Sequence, residues 1–438
     1  MSDSTVFIGL DTHKKEHKAA VFAPGSDQPQ EQTIRNEPAQ VERWVRGLQR
    51  KFPSHEIVVA YEAGVCGFDL QRRIQRPGVD CKVIAPSLIP IRPGQRVHTD
   101  RRDAAGIGRY LRSGQLTEVY APNEQQEALR DLCRSREAAV EDLRRTRQRV
   151  LKFLLRRGLQ YTGSKHWTQG HLAWLGGIRL EAPLAQEVLG GLLLEMEHRQ
   201  ERVAQGDRRL QAVAQEEEYR QAVGWLRCLQ GVDTITAICL LAELYSFGRF
   251  PSPRQLMSYL GMTPSEESSG LTVRKGPITK AGNRRVRRLL TEAAWHQRHR
   301  STASKALRAR REGQPPWAIS IARKAQERLH RRFGRLSQRG MPANKVVMAV
   351  AREMAGFVWA LLQGPPPPGV PGALRESGPR RTVRLSPGAS RQAGGRSPAG
   401  GPPEGRPPVP VGRLAALGSL ASGALSSAKT TPSYRERR

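Results

Sequence analysis

The sequence predicts an α/β domain, then a helical hairpin, a mainly α domain and a tail that builds no core. Three observations predict this. In the first 120 or so residues, short β-rich apolar runs alternate with segments of helical spacing, as layered α/β domains require. From residue 124 to 222 the chain is rich in Leu, Arg and Glu at helical intervals. At Gln363 the composition turns to Pro, Gly, Ser and Arg, with too little apolar surface to fold. The corresponding segments are 1–122, 123–222, 223–362 and 363–438.

In the first segment, residues 5–23 (TVFIGLDTHKKEHKAAVFA) read as two strands in a hairpin, with Asp11 ending the first. Residues 56–64 (EIVVAYEAG) form another strand that terminates in Glu62, and residues 81–86 (CKVIAP) a further one. Helical spacing fills 39–51 and 67–75. In residues 95–109 (QRVHTDRRDAAGIGR), Asp100 and Asp103 stand three apart ahead of a small-residue run, so both carboxylates leave one face of a first helical turn. Asp at a helix start also caps it and complements its dipole, which is the commoner role. Strands and a helix that deliver four acids describe a ribonuclease-H-like core. Four hard oxygen donors suit Mg²⁺ or Mn²⁺ and the activation of an oxygen toward a phosphodiester.

The order FIGLD, YEAG, HTDRRDA resembles the N-terminal domain of the DEDD transposases of the insertion-sequence one-ten family, whose fold is like the resolvase RuvC. The family's third motif usually reads KTDxxDA, and His98 stands here at the lysine. The resemblance implies a RuvC-like domain in which Asp11, Glu62, Asp100 and Asp103 are the catalytic, metal-binding set.

Composition agrees with a nucleic-acid partner. Lys and Arg total 72 against 40 Asp and Glu, a net charge of +32 that calls for a polyanion. No apolar run approaches the length of a spanning helix, which disfavours a membrane. The first strand follows Met1 almost directly, so no signal peptide and a cytoplasmic location are expected. The cysteines at 66, 81, 133, 228 and 239 lack CxxC spacing and read as reduced thiols; the histidines show no HExxH.

Asn123 is placed to cap the helix that follows a hinge at residues 121–123. Apolar residues at 129, 132, 139, 143, 150 and 154 approach a heptad seam that Arg136 and Arg147 interrupt. With a second run over 180–222, joined through 163–177, they predict an antiparallel hairpin: a solvated spacer, or a dimerising or RNA-contacting coiled coil. In the third segment, residues 226–244 have the layout of a helix-hairpin-helix turning at Gly231. Asp233 sets a negative charge where a phosphate contact would lie.

Residues 252–260 read as a short helix and 265–276 as a polar loop rich in Ser and Gly. Lys280 to Asn283 then lead into an arginine-rich helix with Arg284, Arg285, Arg287 and Arg288. Loop serines usually only hydrogen-bond their turn; beside arginines one can also attack phosphorus. GMTPSEESSG with ITKAGN resembles the C-terminal domain of the same family, whose SG dipeptide carries a nucleophilic serine. That aligns with Ser269 and Gly270, or with Ser268 if the register slips by one. Arg274, Lys275, Lys280, Asn283, Arg284, Arg285 and Arg288 are the expected nucleic-acid contacts. Residues 317–336 and 342–362 read as two further helices. The first carries Arg323, Lys324, Arg328, Arg331, Arg332 and Arg335 with Glu327 as its only acid.

The resemblance implies a transposase that excises and inserts an insertion sequence. Mg²⁺-dependent cleavage would leave Ser269 covalently joined to DNA, under guidance by a structured bridge RNA and in a homodimer or tetramer. A metal-dependent, RuvC-like junction nuclease in which the serine is only structural is the alternative.

Overall fold

A computed structural model describes residues 4–64, 66–90, 99–269 and 272–365. His98, Gly270 and residues 366–438, and with them most of the tail, lie outside the described residues. The chain opens with β1 (Thr5–Thr12), β2 (Glu16–Phe22), β3 (Gln30–Arg35), α1 (Pro38–Lys51), β4 (Glu56–Glu62), α2 (Asp69–Gln75), β5 (Asp80–Ile84) and α3 (Asp100–Arg112). The strands form one mixed sheet in the order β3-β2-β1-β4-β5. β1 runs antiparallel to β2 and parallel to β4, as β4 does to β5. β3 is an addition that sequence patterning missed: QEQTIR has one buried side chain, Ile34, and so lacks an apolar stripe.

Side chains on a strand alternate between faces, and this decides where the acids go. Val6, Ile8 and Leu10 of β1, with Ile57, Val59 and Tyr61 of β4, share a core with Val41, Val45 and Leu48 of α1 and Ile74 of α2. Val58 and Ala60 face the other way and pack on Ile107 and Leu111 of α3. Asp11 and Glu62 keep step with this second set, so both project on the α3 side. β4 is buried on both faces, which is why IVVAY is continuously apolar.

α3 approaches the sheet closely because small residues line the contact. A Cβ on Gly9 would lie 2.1 Å from the Ala104 carbonyl oxygen and 2.4 Å from the Gly108 nitrogen, both backbone atoms that cannot swing aside. Gly9→Ala is therefore expected to destabilise the domain by about 3 kcal/mol, at the upper end for overpacking, and to shift α3 away from β1. A lowered urea midpoint with an unchanged m-value checks this.

The middle of the chain is α4 (Glu124–Leu155), α5 (Gln169–Gly177) and α6 (Pro183–Val213). Asn123 and Gln126 form a full capping box at the start of α4. The predicted hairpin is present, with two corrections. The connection contains α5, and the second run breaks at 214–216 into α6 and a separate α7 (Glu217–Arg227). Arg136 and Arg147 interrupt the apolar seam, and each has its own partner. Arg136 pairs with Asp207 of α6 at 2.7 Å, and Arg147 stacks on Trp167 at 4.9 Å.

After α7 come α8 (Thr234–Leu244), α9 (Pro253–Tyr259), β6 (Pro264–Ser269), β7 (Thr272–Ile278), α10 (Arg284–Trp295), α11 (Lys305–Arg311), α12 (Pro316–Gln338) and α13 (Ala343–Leu362). α13 is the apolar axis of this part, with Val347, Val350, Ala351, Met354, Phe357 and Leu361 in a core that also takes Leu129 and Cys133 of α4 and Leu210 and Val213 of α6. The base of the hairpin is thus welded into the C-terminal core. Pro264–Ser269 and Thr272–Ile278 pair as antiparallel strands where the composition of 265–276 suggests a loop. Their side chains are nearly all exposed, so pairing of the backbone, which has no apolar period, holds the strands.

Candidate functional site

The sheet and α3 bring Asp11 and Asp100 together at His13, with Glu62 and Asp103 on the same side of the sheet and near enough to act on the cluster's charge. Leu10 pairs with Tyr61 at the end of the parallel ladder, so Asp11 and Glu62 follow it as neighbours at adjacent strand ends. Thr99 caps α3 by accepting from the Arg102 N–H, and this orients Asp100 and Asp103 in the first turn. Asp11 and Glu62 both have pKa values raised above the ordinary range. Burial is the main cause for each; Asp100 and Asp103 add to it for Asp11, and Asp11 and Asp103 for Glu62. Arg101 does not relieve them, because it turns away to Glu31 at 3.3 Å.

One residue of the cluster went unnoticed in the sequence. His13 Nε2 lies 3.3 Å from Asp11 Oδ2 and 3.3 Å from Asp100 Oδ2. Its signal was present: it stands two residues beyond Asp11, just past the end of β1. The imidazole stands between two carboxylates where a cation would sit, and ligand atoms of Asp11, His13 and Asp100 lie within 4.8 Å of one another. Two carboxylates and an imidazole nitrogen gathered within this span fit a divalent cation.

Ser269 lies elsewhere, on β6, where it pairs with Thr272 beside the tip of the β6–β7 hairpin. It is exposed and lines a shallow depression with Glu267, Ser268, Thr272 and Arg274. Ser268 donates its hydroxyl to Glu266 Oε1 at 2.9 Å. The hairpin springs from a locked base. Gly282 is left-handed, with φ +66°, and a Cβ there would lie 1.9 Å from the Tyr259 carbonyl oxygen. The Lys280 N–H donates to Gly261 O at 3.0 Å.

The predicted nucleic-acid contacts divide into two groups. Arg274, Lys275, Lys280 and Arg284 are exposed, with no ion pair among the described residues. Asn283, Arg285 and Arg288 have partners within the protein, although Arg288 stays exposed. Asn283 Oδ1 accepts from the Arg285 and Val286 N–H groups, and its Nδ2 donates to Glu243 at 2.7 Å. Arg285 and Arg288 both pair with Glu137 of α4, at 2.6 and 3.1 Å. On α12, Arg328 and Arg332 are met by Glu353 of α13, an opposing acid that a reading of α12 alone could not supply. At the helix-hairpin-helix-like turn the Asp233 side chain accepts from the Thr236 N–H, so it occupies the α8 N-terminus itself.

Glu243 is the hub that joins these elements: nearly buried, it receives Arg134 of α4 through Nε at 2.8 Å and Nη2 at 3.0 Å. Arg134 and Asn283 hold its pKa below the ordinary value against the opposing effect of burial. Glu243→Ala leaves Arg134 and Asn283 without their acceptor and is expected to cost about 3 kcal/mol, measurable by urea denaturation. Since Asn283 caps α10, this change should also loosen the hairpin base.

Comparisons with known proteins align with this arrangement. A family model described as "Transposase", of the DEDD type, matches residues 8–157. A second, described as "Transposase IS116/IS110/IS902 family", matches residues 225–309. A Sinorhizobium fredii protein named "Putative transposase y4qE" is 41% identical over 357 residues, 81% of this chain and 88% of that protein. The "Transposase for insertion sequence element IS1533" of Leptospira borgpetersenii is 35% identical over 336 residues, 76% of this chain and 96% of that protein.

Proposed function

This chain belongs to the IS116/IS110/IS902 family of transposases, enzymes that act on DNA, and from that premise we propose that it excises and inserts an insertion sequence through a covalent serine–DNA link. The observation that carries the reading is the convergence of Asp11, Glu62, Asp100 and Asp103 on the α3 side of the sheet. A RuvC-like domain over residues 1–122, a hairpin over 123–222 and a serine-bearing domain over 223–362 are the working parts.

The four carboxylates hold the divalent metal that the DEDD domain implies, Mg²⁺ or Mn²⁺, which when bound neutralises charge on the scissile phosphate. The chain supplies the rest. His13 Nε2, 3.3 Å from both Asp11 and Asp100, holds these two carboxylates in place relative to each other. Ser269 Oγ attacks phosphorus, a phosphoserine ester forms, and the departing sugar oxygen takes up a proton. A sugar hydroxyl of the recipient strand then attacks the ester and frees the serine. Arg274, Lys275, Lys280 and Arg284 steady the phosphates of the strand beside the hairpin.

A structured guide RNA is the second partner in this reading. The +32 charge exceeds what one short DNA contact needs, and no sequence-reading module such as a zinc finger accompanies it. Since the acids and Ser269 sit on separate elements, the reading includes a dimer or tetramer that completes each site, working in the cytoplasm. No helix among the described residues is long and apolar enough to cross a membrane. The test incubates the protein with Mg²⁺, element-end DNA and RNA transcribed from the flanking non-coding region, followed by a denaturing gel. An RNA-dependent protein–DNA adduct is the expected result; cleavage without any adduct would leave the metal-only nuclease.

A further inference from the structure

The far end of the α4–α6 hairpin has a charge distribution that the cleavage site does not use. From Arg144 to Leu180 the sequence holds nine Lys and Arg and no Asp or Glu. Arg145, Arg149, Lys152 and Arg156 recur at i, i+4, i+7 and i+11, which keeps them on one face over about 16 Å at ~1.5 Å per residue. All four are exposed. Arg145 leans on Glu141 at 3.0 Å, while Arg149, Lys152 and Arg156 have no ion pair among the described residues. Like charges at this spacing oppose a helix unless something outside it neutralises them.

The same end gathers aromatic rings, in a chain whose aromatic content is only 5%. His171 is fully buried, with the rings of Tyr161 and His166 each 4.8 Å away and Trp174 stacked at 5.6 Å. Its Nδ1 accepts from the Trp167 N–H at 3.1 Å, which leaves the neutral ring's proton on Nε2. Nε2 has no hydrogen-bond partner among the described residues. Trp167 is held at φ +65°, a conformation costly for a bulky residue, beneath the Arg147 guanidinium. Tyr161, Trp167 and Trp174 stay half-buried and His166 exposed, so ring surface remains open to solvent.

We propose that this tip is a second nucleic-acid surface, apart from the carboxylates, that takes single-stranded RNA or DNA. The stripe tracks backbone phosphates and the rings stack an unpaired base. A row of cations beside aromatic platforms is the chemistry of single-strand binding; paired bases would leave the rings idle. The assignment rests on the reading that the chain handles nucleic acid, but not on its cleavage chemistry.

The test uses the full chain in EDTA, where cleavage does not intrude, and the anisotropy of labelled (U)20 and (dT)20 across a salt series. Arg149→Gln/Lys152→Gln/Arg156→Gln is expected to weaken binding at least tenfold and to flatten the salt slope by about 2, the release expected from three single-strand phosphate contacts. Trp167→Leu should weaken binding about tenfold with the slope unchanged, while a thermal melt confirms that the fold is retained. The control Arg43→Gln/Arg46→Gln/Arg50→Gln removes equal charge from α1. An equal loss in the control, or an unchanged slope in the tip variant, overturns the proposal. Loss with one probe only identifies the strand type. Asp11→Asn should bind normally in this assay, so failure of the cleavage reading and failure of the tip assignment are told apart.

Discussion

Ser269→Ala is expected to abolish the protein–DNA adduct and to lower strand exchange by at least about 10³-fold, the scale of losing a nucleophile. The hairpin makes the experiment clean. Ser269 is exposed at the closing pair of β6 and β7, and its hydroxyl supports no packing. The fold should therefore survive with its melting temperature unchanged. Ser268→Ala is the matched control: that hydroxyl is tied to Glu266, two residues back on the same strand face. Ser268→Ala should keep adduct formation within about threefold of wild type, the effect of one exposed hydrogen bond. Loss of the adduct in Ser268→Ala alone would move the nucleophile by one position. Undiminished cutting in both variants would establish the metal-only nuclease.

Asp11→Asn should reduce cleavage at least about 100-fold, since removal of a metal ligand exceeds the effect of removing its supporting shell. The same variant should be more thermostable than wild type without divalent metal. Burial and the neighbouring Asp100 and Asp103 raise the Asp11 pKa, so the folded protein binds this proton more tightly than the unfolded chain does. At neutral pH the charge therefore opposes folding, and stability is recovered as pH falls through the raised value toward the ordinary carboxylate range. Glu62 acts in the same direction. The measurement is the difference in melting temperature between wild type and Asp11→Asn in EDTA from pH 7.5 downward. The gap should be widest at the upper end, narrow as pH falls, and close when Mg²⁺ is added. A variant less stable than wild type at every pH would show that the carboxylate is an ordinary structural acid. Gain of stability with loss of activity is the usual cost of assembling like charges for function.

Much of this protein was legible one residue at a time. Asp11, Glu62, Asp100 and Asp103 stand in motifs whose order is local, and β1, β4, β5 and α3 follow from apolar runs and a small-residue run after Asp103. Asn123, Ser252 and Asn283 announce helix starts because a cap is a contact over three residues. The tertiary structure alone decided what those residues meet. Strand ends were legible for Asp11 and Glu62, but only the parallel pairing of β1 with β4 set them on one face, and only the approach of α3 over Gly9 set Asp100 beside Asp11 with His13 between. Local pattern proposed Asn283, Arg285 and Arg288 as nucleic-acid contacts, whereas Glu243 and Glu137, distant in sequence, take up their side chains. The serine segment looked like a loop because its strands bury nothing, so backbone pairing alone defines them. Helical caps and strand periods are encoded within a few residues; ion pairs such as Arg285–Glu137 and sheet partners such as Leu10 and Tyr61 depend on how the chain closes on itself, and no local spacing carries that information.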